Sequence, residues 1–244
     1  MRLLALLCLT AAWAVAAPEP TKTEPTNAQE AAAKELAAKK AAQDATIDAK
    51  YFALVAQLPP EAQAWEKVLQ ENLGNGFYLP AHKRDKVAGK STAWDFVKDD
   101  PKLPRVLLIG DSVSRGYTQP TRAALAGVAN VHRAPANCGP TASGVKNLEV
   151  WLGAGKWDVI HFNFGIHDRG TPAADYVQRL EAIVARLEKT GARLIWASTT
   201  PIPDNPAQKQ TARSIVEKNA LAAEVMRKHG IPTDDLFAAL TPRL

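Results

Sequence analysis

The chain has 244 residues, 46% of them hydrophobic and 23% charged, enough for one ordinary domain with additions. Such a composition excludes a fully disordered chain, a collagen-like chain and a polytopic membrane protein. The formal charge is +5, and the whole excess lies in residues 105–244, which carry 17 basic against 12 acidic side chains. These bases are scattered, with no aromatic interleaving and no stripe, so no nucleic-acid partner is expected. The mild positive field suits an anionic substrate or surface at most.

Residues 1–17 read as a cleavable export signal. Arg2 is the positive start, Leu3 to Val15 form a short apolar core, and Ala14-Val15-Ala16 gives the small-x-small cleavage pattern. The apolar run is short for a bilayer span, so a periplasmic or extracellular protein without a transmembrane anchor after processing is expected. Cys8 leaves with the signal, so Cys138 has no intramolecular disulfide partner. No Cys/His cluster has metal-ligand spacing, and neither metal nor cofactor is expected.

Residues 18–50 form a Pro/Thr/Glu linker (Pro18 to Pro25) followed by an Ala/Lys/Glu-rich stretch (Glu30 to Lys50). High helix propensity without large apolar side chains predicts a solvated spacer there. Residues 51–104 are too few for a core of their own and are expected to be an N-terminal extension packed on the main domain. Pro59-Pro60 precede a helical face of Trp65, Val68, Leu69 and Leu73. A Gly74-Asn75-Gly76 turn, a loop over Phe77 to Lys90, and Trp94 and Phe96 follow.

From Arg105 onward strand and helix patterns alternate. Strands are expected at Arg105–Ile109, Val128–Arg133, Trp157–Asn163 and Arg193–Ala197, with a fifth beginning at Ile231–Thr233. Helices are expected at about Tyr117–Ala126, Ala173–Lys189 and Arg213–Lys228, the second closed by Gly191 and the third by Gly230. Apolar strands separated by helices predict a parallel sheet covered on both faces, with its site beyond the carboxyl ends of the strands.

Three loops meet that condition. Gly110-Asp111-Ser112 follows the first strand: Ser112 is either an exposed hydroxyl beside helix-start N–H groups or, with Asp111, a simple helix cap. Asn137-Cys138-Gly139 follows the second, where a glycine lets backbone approach a site closely. Gly165-Ile166-His167-Asp168 follows the third, and His167 is either catalytic or a surface histidine. In this order the segments resemble the SGNH (GDSL-type) hydrolase family over about residues 104–240.

The resemblance implies a flavodoxin-like three-layer α/β/α sandwich with a mostly parallel sheet of about five strands. It also implies a domain spanning 105–244, with Ser112 as nucleophile and Gly110, Asp111, Gly165 and Asp168 in supporting positions. The oxyanion hole would be formed by Ser112, Gly139 and His167. His167 stands where the family usually has Asn, and an imidazole N–H donates in a similar way.

The family's catalytic Asp-x-x-His block has no counterpart after residue 230. The only such spacing, Asp158 to His161, lies inside a strand, where the two side chains point to opposite faces. His161 is therefore expected to be buried and hydrogen-bonded, and His229 to answer a helix dipole. His82 and His132 carry no positional argument for catalysis. A domain that stops short of its acid–base pair is the corresponding expectation, tested by recovering the downstream reading frame.

The functional expectation is an exported serine esterase acting through an acyl-enzyme, its partner a small acyl ester or an acylated polysaccharide. Two alternatives stand beside it: a non-catalytic glycan- or envelope-binding protein on the same fold, and a lipid- or thioester-directed hydrolase. Trp94 and the Thr199-Thr200-Pro201 loop are candidates for substrate contact or for packing. A nucleotide-binding protein lacks its glycine-rich loop after the first strand.

Overall fold

The computed structural model describes residues 27–208 and 210–243. The signal read at residues 1–17 and the linker at 18–25 lie outside them. The chain forms two compact units, Met1–Gln43 and Asp44–Leu244. Of the first, residues 27–43 are helical and exposed throughout, as a segment of Ala, Lys and Glu with nothing to bury must be. The i,i+4 pair Glu35–Lys39 (2.7 Å) adds a few tenths of a kcal/mol at most, roughly. No helix among the described residues is long and apolar enough to cross a membrane.

The helix continues into the second unit as the end of α1 (Asn27–Val55). There the sequence supplies Tyr51, which is fully buried and donates its hydroxyl to Glu66 Oε2 of α2 (Pro60–Asn72) at 2.7 Å. Proline at the first turn costs α2 nothing, because that N–H has no helical partner anyway. Residues 77–90, expected as a loop, instead carry α3 (Tyr78–Val87). Its charged sequence has no apolar stripe, and only Leu79 and His82 are buried. Tertiary partners hold it: Leu79 joins Leu69, Leu73 and Trp94 in a small core, and His82 bridges Glu66 (2.8 Å) and Thr92 (3.0 Å).

Five parallel strands form the sheet, in the order β2-β1-β3-β4-β5. They are β1 (Arg105–Ile109), β2 (Asn130–Arg133), β3 (Val159–Phe162), β4 (Arg193–Ala197) and β5 (Thr233–Asp234). Between them lie α4 (Ser112–Ala124), α5 (Thr141–Leu152), α6 (Ala173–Glu188) and α7 (Ala212–His229), and α8 (Leu236–Leu240) follows β5. Two corrections concern helices. The helix expected from Tyr117 starts at Ser112, because Asp111 caps it, accepting from Val113 N at 2.8 Å. Helix α5 is an addition, in a stretch whose glycine and short polar residues hide the pattern.

Alternation along the strands sorts the two faces. Leu107, Ile109, Ile160, Phe162, Leu194 and Trp196 pack with Leu148, Leu180, Ile183, Val184 and Val225 of α5, α6 and α7 in the main core. Arg133 and His161, in register with Leu108, take the other face and meet α4: Arg133 Nη1 donates to Ser114 Oγ, and Tyr117 lies edge-on to His161. The result is a three-layer α/β/α arrangement. Strand β2 is an edge, and residues 92–100 run along it. Trp94 Nε1 donates to Ala134 O (3.2 Å), and Asn130 exchanges hydrogen bonds with Asp100 (2.9 Å each).

His229 closes α7 by more than a dipole. Its two ring nitrogens face Glu181 (2.7 Å) and Glu188 (2.8 Å) of α6. The hydrogen bond to Glu181, then that to Glu188, raises the imidazole above its ordinary value, and hydrogen bonds from Lys228 and His229 lower Glu181. A raised histidine stabilises fully below its unfolded value of about 6.5 and stops doing so as pH climbs through the folded value. The difference in Tm between the chain and His229→Gln should thus be largest below about pH 6 and shrink as pH rises above it; thermal melts at a series of pH values measure it.

Candidate active site

The three loops named from the sequence meet at the carboxyl ends of β1, β2 and β3, held there by backbone hydrogen bonds. Cys138 N donates to Gly110 O (3.2 Å) and Asn163 N to Ile109 O (3.0 Å). Ser112 is the first residue of α4 and is half-buried. Its position at a helix N-terminus puts unpaired N–H groups and the positive end of the dipole beside its hydroxyl. Asp111 does cap the helix, accepting from Val113 N, and Ser112 follows it as the first helical residue.

His167 sits on a short 3-10 turn (Ile166–Asp168) with its side chain 42% exposed, and its Nε2 lies 3.9 Å from Asp111 Oδ2. Gly139 adopts a φ of +66°, a conformation that glycine takes without strain. Asp168, fully buried, accepts from Thr141 N (2.8 Å), Thr141 Oγ1 (2.7 Å) and Thr171 Oγ1 (3.2 Å). One carboxylate thereby pins the loop that carries Gly139 to the loop that carries His167. Gly165 is required for space: a Cβ there would lie 2.0 Å from Thr199 Oγ1. Thr199 also accepts from Asn163 Nδ2 at 3.0 Å.

Beneath the Ser112 turn lies a residue the sequence reading passes over. Arg133 is buried at the end of β2, donating from Nη2 to Gly110 O (3.0 Å) and Asp111 O (2.9 Å) and from Nη1 to Ser114 Oγ (2.6 Å). Burial pulls its guanidinium below the usual value, opposed by nearby Cys138, Tyr117 and Asp111. Burial likewise pushes the Cys138 thiol up to about 12, which leaves it a neutral packing group. An arginine closing an expected strand of a sheet covered on both faces was the available signal.

The remaining imidazoles have other partners. His161 is mostly buried, as expected, and its Nε2 faces Asp234 at 3.1 Å. His132 pairs with Asp99 (2.6 Å), and His82 with Glu66. Asp158, expected inside the strand, lies just before β3 and accepts from Arg105 N at 2.7 Å. Among the described residues no side chain hydrogen-bonds to Ser112 Oγ. Trp94, one of the candidates for substrate contact, is only 3% exposed and belongs to the small core of the extension. Thr199 packs against Gly165, whereas Thr200 lines a crevice with Asp111, Tyr117 and Asn163.

A family profile described as the GDSL-like lipase/acylhydrolase family matches residues 108–244, more than half of the chain. The chain belongs to that family, whose members hydrolyse ester bonds. No curated protein sequence matches it. Among solved structures it is similar to a lipase/acylhydrolase from Enterococcus faecalis, with 22% identity, 57% of this chain and 78% of that one covered, and a TM-score of 0.50. It is also similar to a catalytic mutant of an acetylxylan esterase from Geobacillus stearothermophilus, with 16% identity, 57% and 79% covered, and a TM-score of 0.50. At these identities the two likenesses bear on the fold, which they share as an α/β sandwich.

The close approach at Gly165 has a measurable consequence. Gly165→Ala should cost about 1–3 kcal/mol in urea unfolding through overpacking against Thr199. Thr199→Ala in the same chain should return part of that loss, because the nearest remaining atom would then be the Thr199 Cβ at 3.0 Å.

Proposed function

We propose that this protein is an exported serine esterase that removes small acyl groups, acetyl above all, from carbohydrate. Ser112 Oγ attacks the ester carbonyl. The N–H groups of Ser112 and Gly139, with the His167 imidazole, receive the oxyanion, and an acyl-Ser112 intermediate is then hydrolysed. The observation that carries the reading is the convergence of Ser112, at the start of α4, with His167, whose Nε2 approaches Asp111 to 3.9 Å. A serine at a helix N-terminus and an exposed imidazole near its neighbour Asp111 support the reading. His167 is partly open to solvent, which suits a small acyl group carried on a polymer better than a long acyl chain needing an apolar tunnel.

A serine hydroxyl at its free pKa is a poor nucleophile and needs a base oriented by an acid. In this reading the start of α4 and the His167 imidazole contribute charge stabilisation beside Ser112. The experiment uses protein produced from its intact gene. It follows acetate release from acetylated xylo-oligosaccharides, together with fluorophosphonate labelling mapped by mass spectrometry. Ser112→Ala should abolish both, and His167→Ala should lower kcat by about 10²–10³, the usual cost of one oxyanion donor. Undiminished turnover in Ser112→Ala would refute the assigned nucleophile.

A further inference from the structure

A cavity of about 540 Å³ lies along the β2 edge, between the extension and the sheet. That volume is in the range of small-molecule sites. Neither Ser112 nor His167 lines it. We propose that it is a second binding site, which takes a sugar ring of a neutral glycan.

The walls favour that ligand class by elimination as well as by fit. Trp65 and Phe96 present aromatic surface to it, whereas Trp151 is only 4% exposed and the Trp157 ring carries the Arg105 guanidinium. The indole N–H groups of Trp65 and Trp157 are consumed by Trp94 O (2.7 Å) and Leu152 O (2.9 Å), so both rings are held still by their polar edges. Phe96 is 38% exposed although nothing in the extension's small core uses it. Open rings such as Trp65 and Phe96 are surfaces on which the C–H face of a sugar ring stacks.

Beside the rings runs a fixed polar row. Asp99 accepts from His132 Nε2 at 2.6 Å and pairs with Arg105 Nε at 2.8 Å, and the Arg105 guanidinium lies over Trp157 at 4.2 Å. Asp99 retains 35% side-chain exposure and Arg105 28%, so lone pairs and N–H groups remain within reach of adjacent hydroxyls. An anion would meet Lys98 on the wall, but the arginines of the cavity are mostly engaged. Arg105 has Asp99, Arg122 donates to Val131 O (3.0 Å) and Thr92 O (3.3 Å), and Arg133 is spent on the Ser112 turn. A wholly apolar guest would strip water from Asp99 and Arg105 with nothing in return. A neutral polyhydroxylated ring with one apolar face satisfies both walls.

The proposal goes beyond ester hydrolysis and does not depend on Ser112 as nucleophile. The test titrates the full chain with xylohexaose, cellohexaose and an N-acetylglucosamine hexamer, followed by tryptophan fluorescence and calorimetry, with glucuronate as the anionic control. At least one neutral oligosaccharide should bind saturably. Phe96→Ala and Asp99→Asn should each weaken it about tenfold, with unchanged circular dichroism, and Ser112→Ala should leave it unaltered. Absence of saturable binding to all three up to roughly 10 mM overturns the proposal. So does preferred binding of glucuronate, or binding lost in Ser112→Ala but retained in Phe96→Ala, which would place the ligand in the strand-end cleft. Failure of the esterase reading shows separately, in acetate release, and leaves these titrations untouched.

Discussion

Arg133 is a full charge placed where water does not reach, and its hydrogen bonds explain why several elements meet where they do. A buried guanidinium is tolerated only when its donors find acceptors, and a charge stripped of one partner typically costs about 3–5 kcal/mol. Here Nη1 and Nη2 find the carbonyls of Gly110 and Asp111 and the hydroxyl of Ser114, that is, the turn that presents Ser112, while Nε has no partner among the described residues. The same guanidinium lies over the Trp94 ring at 5.5 Å. The end of β2, the start of α4 and the extension are therefore tied to one side chain. Neither the turn nor Arg133 can shift without leaving the other with unmet hydrogen-bonding groups.

The edge of the sheet follows the same logic. An exposed parallel edge strand carries unpaired carbonyls that invite another chain. The carbonyls of Val131 and Ala134 are taken by side chains, Arg122 Nε at 3.0 Å and Trp94 Nε1 at 3.2 Å. Residues 92–100 thereby cover β2 without adding a strand, and the cover stands off far enough to leave a cavity beneath it. Edge protection and the proposed glycan site are thus two consequences of one strap.

Local signals were enough for the elements whose sequence carries its own period. The apolar runs Arg105–Ile109 and Arg193–Ala197 are strands at those bounds, and Ala173–Glu188 and Ala212–His229 match the stripes of large apolar residues to within a residue. The three strand-end loops were legible for the same reason, since a parallel sheet dictates where its loops converge. What escaped depends on partners distant in sequence. Helix α3 has no stripe because only Leu79 and His82 face anything. The Asp168–Thr141 link joins residues 27 apart, and Arg133 reaches 22 and 23 residues back to its carbonyls. Pairings of this kind arise from the fold and leave no periodic trace.

The replacement of an amide by His167 changes what the third loop can contribute in the proposed reaction. An Asn side chain donates through its NH₂ at every pH, whereas a neutral imidazole donates only from the nitrogen that holds the proton. Asp111 Oδ2 lies 3.9 Å from His167 Nε2, too far for a hydrogen bond, so the carboxylate acts on the imidazole through charge alone. Asp111 is itself fixed by capping α4 through its other oxygen. The residue that caps α4 therefore also stands beside the imidazole of the third loop. A sequence comparison that scores positions 111 and 167 separately would miss this coupling, which exists only because the first and third strand-end loops converge.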